Sequence, residues 1–426
     1  MTEWIVDILA GIGALAIVWM AYKAVTPEPV EQLPHSLSDP EIPTDSRDFA
    51  VALAVNLNAP LVTGNRLVLL RNGVEIFPPM LEAIERARES VNFLTFIYWT
   101  GDIAERFADA LADAARRGVD VRVLLDYVGS RPMPDSLVDQ MVDAGCLVAR
   151  FHSVRWYALR RLNNRTHRKI LVVDGKLGFT GGVGIAEEWS GDAEDSAHWR
   201  DDHFRVEGPV VHELQGAFAE NWRQATGEVL SGPEMLPPLE REGPVTVVPL
   251  LGTPRGSISR ISFAYWLSLH AARTTVNITT PYFVPDRPLK KVMMATARRG
   301  VDVTLLVPNE NNDRRIVRWA AQSFYPELIE CGVRIFEYQP TMVHVKRVTV
   351  DGTWAVIGSA NFDNRSFNLN YEIALAISDA EFVGALDRCL ERDLERAREI
   401  TLDEAKRRFV LARARDHAVL ALREQL

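Results

Sequence analysis

From residue 81 onward, short apolar runs alternate with stretches whose apolar residues fall three and four apart. LEAIERARES (81–90) is one such stretch. It leads into the β-prone run VNFLTFIYW (91–99), a second amphipathic stretch ERFADALADAARRG (105–118) and the run VDVRVLLD (119–126). A 3.6-residue period buries one stripe of a helix, whereas a continuous run of β-branched and aromatic residues suits a buried strand. The order then repeats as ISFAYWLSLHAARTT (261–275), VNITTPYFV (276–284), PLKKVMMATARRG (288–300) and VDVTLLVP (301–308). Helices of this length between strands predict an α/β fold with a parallel or mixed sheet covered by helices.

The repetition is literal in places. Ala115-Arg-Arg-Gly-Val-Asp-Val121 recurs as Ala297-Arg-Arg-Gly-Val-Asp-Val303, and the strand after Gly145 has a counterpart after Gly332. THRKILVVDG (166–175) shares the skeleton His-x-Lys-x-x-x-x-Asp-Gly with VHVKRVTVDG (343–352). Three landmarks in one order, with only two copies, describe an internal duplication of a domain-sized unit rather than a solenoid.

Two segments fall outside the alternation. The run Trp4–Tyr22, WIVDILAGIGALAIVWMAY, carries one charge, Asp7, and has the length of a bilayer span, with aromatic residues at its ends. It predicts an N-terminal transmembrane anchor, because the acidic MTE before it does not suit a secretory signal. Glu3 before the span and Lys23 after it place the body on the cytoplasmic side of the cell membrane. The proline-rich stretch that follows predicts an extended tether. The expected division is an anchor over 1–25, a linker over 26–60, a first domain over 61–230, a connector over 231–244, a second domain over 245–400 and a helical tail over 401–426. That tail either packs on the body or lies on an anionic membrane surface.

Composition narrows the function. The chain has 426 residues, 47% hydrophobic and 25% charged, enough for two or three cores, and its net charge of -9 opposes a nucleic-acid binder that works by neutralising phosphates. Three cysteines without a CxxC pair indicate neither a disulfide framework nor a thiolate zinc site. His152, His198, His203, His212, His270 and His417 show no metal-ligand spacing, and Trp156, Trp189 and Trp222 are expected in the core or at its rim. No cofactor is expected.

The chemistry lies in the repeated stretch. Residues two apart on a strand share a face, so His167 and Lys169 point together, as do His344 and Lys346. Asp174 and Asp351 have the opposite parity and begin Asp-Gly turns. Two such pairs facing each other suit displacement at a phosphodiester. One imidazole attacks phosphorus, the other protonates the leaving alkoxide, and the lysines neutralise the non-bridging oxygens without a metal. After the second copy, Gly358-Ser359-Ala360-Asn361 offers a hydroxyl and an amide to a phosphate, and Glu372 is a carboxylate in an apolar run that needs a partner.

These stretches, together with NFDNRSFNLNYE (361–372), TPYFVPD (280–286) and HWRDDHFRVEGP (198–209), resemble the phospholipase D superfamily and within it the bacterial cardiolipin synthase branch. The resemblance covers roughly residues 65–400. It implies two phospholipase D-like α/β/α domains about a pseudo-twofold axis, one site between them, and a phosphohistidine intermediate. By that resemblance the catalytic set is His167, Lys169, Asp174, His344, Lys346 and Asp351, with the aspartates mainly stabilising their hairpins. His167 is the nucleophile and His344 the acid and later the base. The phosphate is held by Lys169, Lys346 and Asn361 with help from Ser359. Glu372 orients His344, and Asp201 orients His167. Gly182 and Gly184 stand where the second half has Ser359 and Asn361, so the asparagine expected by symmetry is absent and glycine N–H groups are expected to approach the phosphate instead.

The resemblance implies a membrane-anchored transferase that joins two phosphatidylglycerol molecules into cardiolipin and glycerol, with anionic phospholipid as its partner. A phospholipase D with water as acceptor is the alternative. A nuclease of the superfamily and a non-catalytic lipid binder complete the set, the first opposed by net acidity and the second by retention of every histidine and lysine. The acceptor, acyl preference, oligomeric state and identity of the attacking histidine stay open at this stage.

Overall fold

A computed structural model of the chain describes Gly11, Gly13, residues 33–34, 36–38, 41–152, 163–254 and 259–407. The anchor expected over 1–25 lies outside the described residues apart from the two glycines, as do Trp156, His417 and the tail beyond 407. No helix among the described residues is long and apolar enough to cross a membrane.

The first half contributes strands β1 (Val62–Arg71), β2 (Ser90–Thr95), β3 (Asp120–Asp126), β4 (Leu147–Phe151), β5 (Ile170–Val173), β6 (Leu177–Gly181) and β7 (Asp202–Glu207). The second contributes β8 (Val245–Gly252), β9 (Thr275–Thr279), β10 (Phe283–Val284), β11 (Asp302–Pro308), β12 (Val333–Tyr338), β13 (Arg347–Val350), β14 (Trp354–Gly358), β15 (Phe362–Asp363), β16 (Glu372–Ser378) and β17 (Ala397–Glu399). All but the β10–β15 pair join one 15-stranded sheet in the order β17-β12-β11-β9-β13-β14-β16-β8-β1-β7-β6-β5-β2-β3-β4. Outward from the antiparallel β8–β1 junction the two sides mirror one another, β16 matching β7, β14 matching β6, β13 matching β5, and so to β12 and β4. The duplication thus becomes a twofold arrangement, with parallel pairs at the flanks and antiparallel pairs toward the middle.

The amphipathic stretches form the expected helices. Asn72–Arg86 and Asp102–Arg116 cover the first half, burying Ile76, Phe77, Ile84, Phe107 and Leu111, and Arg260–Ala271 and Arg287–Arg298 cover the second, burying Trp266, Leu269, Leu289 and Met293. A third core lies under the middle of the sheet, where Val211–Thr226 and Ala380–Leu394 pack Phe218, Trp222, Phe382 and Leu386 onto Val206, Val247 and Leu375. The expected linker differs in part. Ser46 caps a helix over Arg47–Asn56, and its Phe49 meets Trp354 edge-on at 4.8 Å inside the second-half core. The apolar spacing of Phe49, Leu53 and Leu57 outweighs the prolines upstream.

A buried ionic network crosses the middle of the molecule. Arg200 Nε and Nη2 donate to Asp393 at 3.0 and 2.9 Å, and its Nη1 donates to Asp202 at 2.5 Å. Arg347 donates to the other oxygen of Asp202 at 2.7 Å, and Arg71 reaches Asp393 at 3.0 Å. Asp393 belongs to the second half and Arg200 to the first, so the network spans both. Removing one member strands the others without solvent. Arg200→Ala is therefore expected to cost about 3–5 kcal/mol in denaturant unfolding. The exposed Arg334–Glu399 pair, broken by Arg334→Ala, should cost about 1 kcal/mol or less. Equal losses would remove the network from the account.

Candidate active site

The two His-Lys pairs are placed by bridges that cross between the halves. Thr166 pairs with Tyr371, and Arg200 pairs with Val343. His167 N–H donates to the Tyr371 carbonyl at 2.8 Å, and His344 N–H donates to the Arg200 carbonyl at 2.7 Å. Each histidine segment of one half is thereby zipped to the carboxylate segment of the other. The consequence is an exchange of partners. His167 Nδ1 lies 3.0 Å from Glu372 Oε1, and His344 Nδ1 lies 2.7 Å from Asp201 Oδ2.

This corrects the pairing expected from the sequence, in which Glu372 served His344 and Asp201 served His167. Chain proximity favours the same-half reading; the long-range bridges dictate the other. With Nδ1 engaged, each ring keeps Nε2 for chemistry. His167 and His344 are close enough to influence each other's protonation, as are Lys169 and Lys346, so the four groups share one buried site. The His-Lys segments lie in extended chain just before β5 and β13 rather than on them. Lys169 Nζ donates to the His167 carbonyl at 2.8 Å, while Lys346 Nζ contacts both His344 Nδ1 at 2.9 Å and the His344 carbonyl.

Asp174 and Asp351 are not in this group. A four-residue strand separates each from its lysine, placing it on the order of 20 Å from its histidine at about 3.3 Å per residue. Asp174 and Gly175 have φ of 52° and 62°, and Asp351 and Gly352 have 51° and 66°, the left-handed pair that a tight hairpin requires. Asp174 accepts the N–H groups of Arg88, Glu89 and Ser90, and Asp351 accepts those of Arg273, Thr274 and Thr275. They staple each hairpin to the start of the neighbouring strand and do not touch the reacting groups.

Ser359 also departs from expectation. Its hydroxyl donates to Glu372 Oε2 at 2.5 Å and accepts the Ile373 N–H, so it fixes the carboxylate instead of reaching outward. Asn361 is buried, its Oδ1 has no hydrogen-bond partner among the described residues, and its Nδ2 is the group able to donate to a phosphate oxygen. Gly182 donates its N–H to the Asp202 carbonyl at 3.1 Å, which withdraws it from phosphate binding. A Cβ at Gly182 would lie 2.2 Å from Asp201 Oδ1, and one at Gly184 would lie 2.8 Å from Ile97 and 3.2 Å from Trp189. Asp201 fills the space that a side chain at 182 would need, and Ile97, with Trp189 beyond it, fills that at 184.

Trp189 was expected only as a core or rim residue. It is buried, and its indole Nε1 also donates to Asp201 Oδ2 at 2.9 Å, the counterpart of the Ser359 bond to Glu372. Trp189 and Trp199 flank the His344 ring at 5.3 and 5.5 Å, and Phe96 meets His167 edge-on at 5.1 Å. The sequence signal for Trp199 was its place in the Trp-Arg-Asp word; Trp189 had none.

Burial sets the charges. It pulls His167 down to about 4, aided by the nearby lysines and opposed by Glu372, and it pulls His344 well below the ordinary value with Lys346, Lys169 and His167 acting in the same direction. Both shifts favour the neutral ring. Burial likewise lowers Lys169 to about 7 and Lys346 to about 8. Burial opposes ionisation of Glu372, yet His167, Lys169 and the Ser359 hydroxyl together hold its carboxyl below the usual range, whereas burial pushes Asp201 up. Two lysines, two imidazoles and an unengaged amide around one buried point can bind a phosphodiester and exchange one of its oxygens.

Residues 80–222 and 267–394 match the family described as "Cardiolipin synthase, PLD-like domain". The chain is 38% identical over 348 residues to cardiolipin synthase A of Pseudomonas putida, covering 82% of this chain and 72% of that one. It is 39% identical over 349 residues to cardiolipin synthase A of Pseudomonas fluorescens, with the same coverage. Among solved structures, phosphatidylserine synthase of Haemophilus influenzae superposes with a TM-score of 0.65 at 16% identity, covering 88% of this chain and 99% of that one. Polyphosphate kinase of Porphyromonas gingivalis gives 0.53 at 13% identity over 80% of this chain and 49% of that one. The two structures share the fold; the sequence matches, which run through both halves and both His-Lys pairs, show that the chain belongs to the cardiolipin synthase family of phospholipase D-like proteins.

Proposed function

We propose that the protein is a phosphatidyltransferase that joins two phosphatidylglycerol molecules into cardiolipin and glycerol. The observation that carries this reading is the pair of buried His-Lys units, each histidine held by a carboxylate from the opposite half. In the first step His167 Nε2 attacks the phosphorus of one phosphatidylglycerol, forming a P–N bond. The P–O bond to the departing glycerol breaks, and His344 delivers the proton that the alkoxide needs. In the second step a hydroxyl of another phosphatidylglycerol attacks, His344 removes its proton, and the P–N bond breaks to release cardiolipin and free His167.

The electrostatics support these roles. A neutral His167 has its lone pair available, and ionised Glu372 balances the positive charge that its ring acquires on phosphorylation. The bound phosphodiester brings negative charge against His344 and raises its proton affinity from the empty-site value. Lys169, Lys346 and Asn361 hold the non-bridging oxygens, where charge accumulates. No cofactor enters the scheme. The N-terminal run 1–25 would tether the body to the membrane that contains its substrate, with the body cytoplasmic, and the domain limits stated from the sequence remain our proposal except that the helix Arg47–Asn56 joins the second half.

Full-length protein incubated with phosphatidylglycerol vesicles should yield cardiolipin and glycerol in equal amounts by mass spectrometry. His167→Ala should abolish both, and His344→Ala should lower the rate by about 10² to 10⁴. Phosphatidic acid in place of cardiolipin would identify water as the acceptor. In the free enzyme the lysine ammonium groups lose protons as pH rises through about 7 and about 8, which weakens phosphate binding. KM should therefore climb between about pH 7 and 9 while kcat, set by the phosphate-bound complex, changes less. A flat KM would contradict the lysine assignment. Glu372→Gln should shift the ring nitrogen resonances of His167 and leave those of His344 in place, and the reverse pattern would restore the same-half pairing.

A further inference from the structure

Beside the catalytic lysines lies a second set of cations that the exchange reaction leaves unused. Arg165, two residues before His167, is 3% exposed. Its Nη2 donates to the carbonyls of Phe151 and His152 at 3.2 and 3.1 Å, but neither Nε nor Nη1 has a hydrogen-bond partner among the described residues. Asp126 comes within 3.3 Å of Nε without the geometry of a hydrogen bond, and its oxygens already accept the N–H groups of Val128, Gly129 and Thr166.

Arg365 lies against the same segment. Its Nη1 and Nη2 donate to Asn163 Oδ1 and the Asn163 carbonyl, both at 3.1 Å, and no ion pair to a carboxylate forms among the described residues. Arg314 stacks over Tyr282 at 5.8 Å, beside the β10–β15 pair that adjoins Asn361. Burial pulls Arg365 below the ordinary arginine value, with Arg314 and Arg165 pushing the same way and Asp363 opposing. Arg365 thus holds Asn163, two residues before Arg165, so these two meet at one segment, and Arg314 lies near enough to Arg365 to act on its charge. A buried guanidinium with unpartnered nitrogens is costly for a fold to keep, and its planar fork suits a phosphate.

The spacing to the reaction centre fits a particular ligand. Tyr371 N–H donates to the Arg165 carbonyl, and the Tyr371 carbonyl accepts from His167, so Arg165 and His167 flank one bridge. Two residues of extended chain separate the Arg165 and His167 backbones by roughly 6–7 Å and put their side chains on one face, on the scale of the glycerol that separates the attacking hydroxyl of phosphatidylglycerol from its own phosphate. We propose that Arg165, Arg365 and Arg314 form a subsite for the phosphate of the acceptor lipid, distinct from the lysines that hold the phosphate undergoing exchange. This rests on the transferase reading and deepens it: the acceptor is selected because it carries an anion of its own.

The test sets an anionic acceptor against a neutral one. Full-length protein and the Arg365→Gln variant are given phosphatidylglycerol with labelled glycerol, and cardiolipin formation is compared with label exchange into phosphatidylglycerol. In parallel, calorimetry counts equivalents of glycerophosphoglycerol, the water-soluble headgroup, bound per chain. The subsite predicts at least a tenfold fall in the cardiolipin-to-exchange ratio and a drop from two bound equivalents to one. Arg314→Gln, at an exposed position, should lower the ratio in the same direction and replaces the first variant should that misfold. An unchanged ratio, an equal fall in both products, or a single equivalent on the unmodified protein would overturn the proposal. Should the unmodified protein make no cardiolipin yet bind two equivalents, one of them lost in the variant, the subsite stands and the product reading falls.

Discussion

Everything at this site depends on each histidine receiving its carboxylate from the opposite half. An imidazole that is to attack phosphorus, or to protonate the alkoxide leaving it, needs one nitrogen held and the other free. The hydrogen bonds from His167 to Tyr371 and from His344 to Arg200 bring Glu372 and Asp201 across the twofold axis to do this. Neither half carries a complete dyad without the other. The antiparallel β1–β8 junction, the crossed bridges and the Arg200–Asp202–Asp393 network are thus parts of one constraint: they fix the relative position of two halves whose chemistry is shared.

The exchange also explains how so many ionisable groups stay buried. Lys169, Lys346, His167, His344, Glu372 and Asp201 all lie at 8% exposure or less. Unpaired, such groups would shed their charges. Burial lowers both histidines and brings Lys169 to about 7 and Lys346 to about 8, so the site carries less positive charge than its residues would in water. An anion entering restores the ammonium forms and strengthens its own binding in a medium of low dielectric.

The sequence made the duplication plain because it survives as words: the Ala-Arg-Arg-Gly-Val-Asp-Val heptad and the two His-x-Lys stretches. The alternating pattern gave helices and strands within a few residues, since each amphipathic stretch buries a single stripe. The partner exchange was illegible, because it depends on Thr166 meeting Tyr371 across 205 residues of chain rather than on local pattern. Arg165 and Arg365 went unremarked for a related reason. An arginine in sequence reads as a solvated charge, and neither the burial of Arg165 with its unpartnered nitrogens nor the hold of Arg365 on Asn163 is a local pattern. The helix Arg47–Asn56 was hidden by the prolines before it, although its apolar spacing was present.

The same geometry shows why an internally duplicated enzyme need not keep its duplicated residues. In the second half a serine hydroxyl at 359 steadies Glu372. In the first half the carboxylate is aspartate, one methylene shorter, and it occupies the space that a side chain at 182 would fill, 2.2 Å from where a Cβ would stand. Serine is thereby excluded at 182, and the donor must come from elsewhere. Trp189 supplies it through Nε1, and Ile97 with the edge of that indole closes the space beside Gly184, where symmetry would place a second asparagine. The shortened carboxylate accounts for the glycine at 182, and Ile97 together with the indole for the one at 184. What the two halves share is a held imidazole beside a lysine; the means of holding it diverged, leaving a buried amide on the side of Asn361 alone.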